Sequence, residues 1–218
     1  MSRIVVIGTS CCGKTTLARR LAECLDCRHV ELDALHWLPH WTPRPIDEFR
    51  DLVRGVSASD RWVIDGNYSV VRDLYWSRAT VFVWLDYSFP TILGRGLRRT
   101  VKRSITRETL FSGNRESFRQ SFLSRDSILV WILTTFRRRR RRYRRLFQEM
   151  RASDPSEEGR LLLTLRRPRE AELFLRFLSQ GRRPTEAEVV LEHLARVPDP
   201  RGWILSAMKP ERPSDSGV

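Results

Sequence analysis

Ile4-Val5-Val6-Ile7-Gly8-Thr9-Ser10-Cys11-Cys12-Gly13-Lys14-Thr15-Thr16 is the stretch that decides the fold. A β-branched run breaks at Gly8, and Leu17, Ala18, Leu21, Ala22 and Leu25 then follow at helical spacing, so it reads as strand, glycine loop, helix. The loop carries G-x-x-x-x-G-K-[ST] in the context the motif requires. Gly8 and Gly13 let the backbone turn with positive φ, so that successive N–H groups form a nest for phosphate oxygens. The N-terminus of the following helix adds its dipole and unpaired N–H groups. Ser10, Cys11, Cys12, Gly13 and Thr16 then lie along the phosphates, Lys14 reaches the β and γ phosphates, and the Thr15 hydroxyl is placed to ligate Mg²⁺.

A chain of 218 residues makes one generous α/β domain, or one domain with an insertion and a tail. The net charge of +14 invites a nucleic-acid reading. Lysine occurs only at 14, 102 and 209, so arginine is the default cation and its presence at any one place says little. Of the four cysteines, Cys24 and Cys27 form a single C-x-x-C, which is half a zinc site with no second pair at ligand spacing. Free thiols in a reducing compartment are expected. Met1-Ser2-Arg3 leads straight into the first strand, and the longest apolar run, residues 128–133, is too short to span a bilayer. The expectation is a cytoplasmic protein.

Downstream, residues 29–33 read as a second strand ending in Asp33, and 34–41 as a loop rich in aromatics and prolines. A helix after Pro43 and Pro45 carries Phe49, Leu52, Val53 and Val56 on one face. Residues 61–65 form a third strand ending in Asp65, then Gly66-Asn67-Tyr68; 80–86 form a fourth and 160–165 a fifth, with Pro168 opening the last helix. Nearly continuous apolar strands alternating with helices indicate a parallel sheet covered on both faces. In such sheets ligands bind beyond the carboxyl ends of the strands, where Asp33, Asp65 and Asp86 are delivered.

Between the fourth and fifth strands, Arg95, Arg99 and Arg103 recur at i, i+4, i+8 and give one helical face a row of guanidinium groups. A polar turn at 111–116 looks like the tip of a lid spanning about 92–127, and a long basic helix runs from about 127 to 150. Its apolar stripe of Ile128, Ile132, Phe136, Tyr143, Phe147 and Met150 misses a turn at Arg139 and Arg140, so a guanidinium faces the core side there. A buried cation needs a partner, which a phosphate at the rim of the sheet would supply; the alternative is a solvated face with that arginine snorkelling to water. Residues 179–218 read as an extension, with a short helix starting at the capping box of Thr185 and then a disordered tail.

Phosphoryl transfer asks mainly for positioning and charge neutralisation. One of Asp33 and Asp65 is placed to hold Mg²⁺ and the other to accept a proton from an attacking hydroxyl; both are also common turn formers after a strand. Asp86 reads as structural. His36, Trp37, His40 and Trp41 offer to stack a base or shape an acceptor pocket with Asn67 and Tyr68, or simply fold back on the core.

Gly8 to Thr15, the Leu32-Asp33-Ala34-Leu35-His36-Trp37 segment, Trp62-Val63-Ile64-Asp65-Gly66-Asn67-Tyr68, Gly113-Asn114-Arg115-Glu116 and Arg166-Arg167-Pro168-Arg169-Glu170 together resemble a family. It is the adenylate-kinase-related P-loop proteins known as DNA topology modulation proteins, and the resemblance covers residues 1–178. It implies an α/β P-loop kinase fold with strand order 2-3-1-4-5, ATP as donor, Mg²⁺, and a mobile arginine lid. It also implies that Asp65 and Gly66 lie near the metal and acceptor, and that Arg95, Arg99, Arg103 and Arg139 or Arg140 clamp the transferred phosphoryl group. Arg115 falls at the substrate side of the lid, and Arg167 with Pro168 borders adenine. The chain departs from adenylate kinases themselves, whose Phe-Pro-Arg after Asp-Gly is replaced here by Asn67-Tyr68-Ser69. The expected activity is phosphoryl transfer from ATP to a nucleoside, nucleotide or sugar-like alcohol. Nucleotide-dependent nucleic-acid binding through the basic helix, or nucleotide binding without turnover, stand as alternatives.

Overall fold

The computed structural model describes residues 2–106, 111–114, 127–152 and 160–181. Strand β1 (Arg3–Gly8) runs through the glycine loop into helix α1 (Lys14–Cys24). Next come β2 (Arg28–Glu31), α2 (Leu32–His36), α3 (Ile46–Ser57), β3 (Trp62–Asp65), α4 (Arg72–Tyr75) and β4 (Val81–Leu85). Helices α5 (Phe89–Thr106) and α6 (Ile128–Ala152), strand β5 (Leu161–Leu165) and helix α7 (Pro168–Ser179) complete the described chain.

These five strands pair parallel in the order β2-β3-β1-β4-β5. Two further short strands, Trp37–Leu38 and Thr42–Pro43, form a separate antiparallel ribbon between α2 and α3, within the stretch that the sequence reads as loop. Side chains alternate across each strand, so β1 sends Ile4 and Val6 to one face and Val5 and Ile7 to the other. The first face packs on α1 and α7 through Leu17, Leu21, Phe174 and Leu178; the second packs on α3 and α4 through Phe49, Val53 and Tyr75. Helix α6 serves both layers, placing Ile132 and Phe136 in the first and Tyr143 and Phe147 in the second. On α3 the buried residues are Phe49, Val53 and Ser57, while Leu52 turns outward.

Strand β2 stops at Glu31, two residues before the carboxylate expected to end it. Leu32 turns into α2 and is fully buried against Gly66, whose φ of +135° suits only glycine and where a Cβ would lie 2.7 Å from the Leu32 Cβ. Asp33 therefore sits within α2 rather than at a strand end.

Among the described residues no helix is long and apolar enough to cross a membrane, and the four cysteines are free thiols. Arg115 and Glu116, residues 107–110 and 117–126 of the expected lid, the short helix expected at Thr185 and the tail lie outside the described residues.

Candidate active site

The loop after β1 turns through Cys11 at φ +62° and Gly13 at φ +96°, and no side chain caps α1. The first amides of that helix are thus left for a ligand. Gly8 makes the close packing beneath the loop possible: a Cβ there would lie 2.7 Å from Cys12 Sγ and 3.0 Å from the Leu85 carbonyl oxygen. Cys12 is completely buried, which pushes its thiol pKa up, so it anchors the loop from below, whereas Ser10, Cys11, Gly13, Lys14, Thr15 and Thr16 line the cleft above. The Lys14 ammonium lies back across the loop and donates to the Thr9 carbonyl at 3.1 Å. Burial works against that charge, but the surrounding groups, Asp33 and Asp65 among them, outweigh it and leave its pKa above the ordinary value.

Register brings the acids together. Glu31 stands opposite Asp65 on the adjacent parallel strands β2 and β3, both at their carboxyl ends. The Thr15 hydroxyl lies 3.0 Å from Glu31 Oε1 and 3.1 Å from Asp65 Oδ1, and its one proton serves one of them at a time. The other oxygen of Asp65, Oδ2, lies 2.7 Å from His29 Nε2. Burial, then the nearby Asp65 charge, raises the Glu31 pKa. Three hard oxygen donors beside a phosphate loop form a set suited to Mg²⁺. Of these residues the sequence motifs point to Thr15 and Asp65, whereas Glu31 and His29 belong to no motif. The available signal was strand period two, which puts His29 and Glu31 on one face of β2.

Asp33 lines the same cleft and accepts a hydrogen bond from the Tyr68 hydroxyl at 2.7 Å. Burial and the Asp33 charge raise the Tyr68 pKa far above its usual value, so the phenol stays a donor. Asn67 donates from Nδ2 to the Gly8 carbonyl at 2.7 Å, tying the end of β3 to the start of the loop. The aromatic cluster folds back on the core. The His36 ring packs at 4.5 Å from Tyr68, 4.8 Å from Trp37 and 5.1 Å from Phe49 between ring centres, and burial lowers its pKa. Within this group Asp33 alone lines the cleft, and His36, Trp37, Gly66, Asn67 and Tyr68 form the wall behind it.

The cleft holds about 990 Å³. Arg95, Arg99 and Arg103 line it from α5, on one face as their spacing predicts. Arg95 donates from Nη1 to the Cys12 carbonyl at 2.7 Å with its guanidinium 5.1 Å above the Tyr87 ring, and Arg99 Nη1 lies 4.0 Å from Cys11 Sγ. On the far side, Arg20 of α1 pairs with Glu172 of α7 at 2.5 Å, and Pro168 and Arg169 line the wall. Arg167 stands at the exposed N-cap of α7, outside that lining.

The long helix corrects one expectation. Arg140 does turn inward, but its Nε and Nη2 donate to Asp86 Oδ1 and Oδ2 at 2.6 and 3.0 Å, and the Asp86 side chain is only 6 % exposed. The partner of the inward guanidinium is thus a carboxylate at the end of β4 and not a phosphate. Arg139 lies over the Trp131 ring, 5.1 Å from its centre, and neither arginine lines the cleft.

No protein-family model matches the chain, and no curated protein does. Among solved structures it is similar to a gluconokinase from Sinorhizobium meliloti 1021, with 21 % identity, 89 % of this chain and 95 % of that chain covered, and a TM-score of 0.44. An unliganded sugar kinase from a Janibacter species shows 20 % identity over 84 % of this chain and 97 % of that one, with a TM-score of 0.39. An uncharacterised protein from Eubacterium ventriosum shows 12 % identity over 84 % and 100 %, with a TM-score of 0.42.

Proposed function

We propose that the protein is a Mg-ATP-dependent phosphotransferase acting on a hydroxyl of a small molecule. The observation that carries this is the convergence of Lys14, Thr15, Glu31, Asp33 and Asp65 on the phosphate loop, in a cleft that Arg95, Arg99 and Arg103 also line. In this reading the loop amides and Lys14 hold the donor phosphates. Thr15, Asp65 and Glu31 would hold Mg²⁺, which neutralises charge on the β and γ phosphates when bound. Asp33, oriented by Tyr68, accepts the proton of the acceptor hydroxyl as its oxygen attacks the γ-phosphorus; the bond to the β–γ bridging oxygen breaks and ADP leaves. The arginine row of α5 balances the charge of the transferred group. Pro168 and Arg169 border the adenine.

The test is ADP release from Mg-ATP by the purified protein, alone and with nucleosides, nucleoside monophosphates, small alcohols and sugars. One acceptor should stimulate it, and Lys14→Ala should reduce the stimulated rate to background. Full activity in that variant would sink the proposal, and nucleotide binding without ADP release would identify a binding module.

A second reading, nucleotide-dependent nucleic-acid binding, is favoured by one observation. Thr134, Arg137, Arg138, Arg141, Arg142 and Arg145 line a surface groove of about 560 Å³ on α6. Such binding weakens steeply with salt, in proportion to the phosphates neutralised. DNA retention unchanged between low and moderate salt would remove it.

A further inference from the structure

We infer that His29 is a positioning residue that fixes how the Asp65 carboxylate is presented to the metal, an inference that rests on the phosphotransferase reading above. Asp65 is 1 % exposed, and its two oxygens have separate partners. Oδ1 faces the Thr15 hydroxyl at 3.1 Å, and Oδ2 lies 2.7 Å from His29 Nε2. An ionised carboxylate only accepts, so Nε2 is the donor. The ring is held in place by the sheet. His29 lies two residue pairs before the Glu31–Asp65 pair in the β2–β3 ladder, opposite Val63, and shares the face of β2 that carries Glu31.

With His29 in place, a single oxygen of Asp65 is turned toward Thr15 and Glu31, and the other is occupied. Removal of the ring N–H leaves Oδ2 buried with no donor in its direction, which favours rotation of the carboxylate. That rotation takes away the oxygen aimed at the metal position. Partners of this kind, one step removed from the ion, typically carry a 10–100-fold share of metal affinity.

The experiment uses the full chain with His29→Leu, which removes the donor, and His29→Gln, whose amide N–H reaches a similar position. Mn²⁺ is titrated into each protein in the presence of ADP, with free Mn²⁺ read by electron paramagnetic resonance. ADP affinity without metal and the melting temperature are measured alongside. His29→Leu should weaken Mn²⁺ binding by about 10–100-fold while metal-free ADP affinity holds, and His29→Gln should recover most of the loss. Equal losses in both variants, or Mn²⁺ binding unchanged in His29→Leu, would overturn the inference. Should the leucine variant fail to fold, His29→Asn, whose amide falls short of Oδ2, takes its place with the same expectations. A wild-type protein that takes up no Mn²⁺ with ADP would overturn the metal-dependent reading itself, and the role of His29 with it.

Discussion

Glu31 and Asp65 compete for the one Thr15 hydroxyl proton beside the loop, a conflict that the proposed Mg²⁺ would relieve. Burial and then the Asp65 charge raise the Glu31 pKa, so the folded chain holds a proton on the Glu31 carboxyl more tightly than the unfolded one does. The stability contributed is full below the ordinary carboxylate range and is lost as pH rises through the raised value. Glu31→Gln mimics the neutral form and keeps an oxygen to accept from Thr15. In metal-free protein this variant should melt above the wild type at neutral pH, by about 2–4 °C for each kcal/mol recovered. Differential scanning calorimetry should show the gap closing as pH falls toward about 4, and saturating Mg²⁺ should close it as well. A gap independent of pH would trace the effect to packing. Glu31 was hard to single out in the sequence because Glu31 and Asp33 are two residues apart in one strand-like run. Only the burial of Leu32 on the bare backbone of Gly66 decides where the strand ends.

Helix α6 shows which parts of an element are local and which are not. The break in its apolar stripe, visible in the sequence, required an inward guanidinium, but the partner lies 54 residues away and is set by the fold. Arg140→Ala leaves both oxygens of a buried carboxylate without their donors. Because the guanidinium itself is 36 % exposed, water replaces part of the loss, and the expected cost is about 1–3 kcal/mol in urea unfolding. Asp86→Asn combined with Arg140→Ala should cost less than the two single changes added together. The ribbon was illegible for a different reason, since the side chains that brace it come from far along the chain. Asn114, 5 % exposed, accepts from the Trp41 amide at 3.0 Å and donates to the Leu38 carbonyl at 2.9 Å, and the Ser112 hydroxyl donates to the Trp37 carbonyl at 2.7 Å. These bonds hold His40 and Trp41 at φ +59° and +55°, values that L residues of this bulk rarely adopt. Asn114→Ala should therefore cost about 1–3 kcal/mol. Asn114→Asp, which accepts but cannot donate, should recover only part of it.

At the scale of the whole molecule, the charge of +14 was readable from composition, but its placement was not. The arginine row of α5 faces the phosphate loop and Arg140 is matched by Asp86, so neither group stands as a bare surface excess. The groove on α6 is different: apart from Thr134, every residue lining it is an arginine. Arg137, Arg141 and Arg145 repeat at i, i+4, i+8, and Arg138 and Arg142 at i, i+4, so like charges stack along one helix face. Each such pair destabilises a helix by about 0.2–0.5 kcal/mol, and salt screens it over about 10 Å at 0.1 M. The melting temperature of the wild type should accordingly rise between low and moderate NaCl. Replacing Arg138, Arg141 and Arg145 together by Gln removes several of these pairs while keeping helix propensity, and should add about 1–2 kcal/mol at low salt. Thermal melts across a salt series should show the two proteins converging as screening removes repulsion from the wild type alone. A triple variant as salt-sensitive as the wild type would place the repulsion outside α6, among the other arginines of the chain.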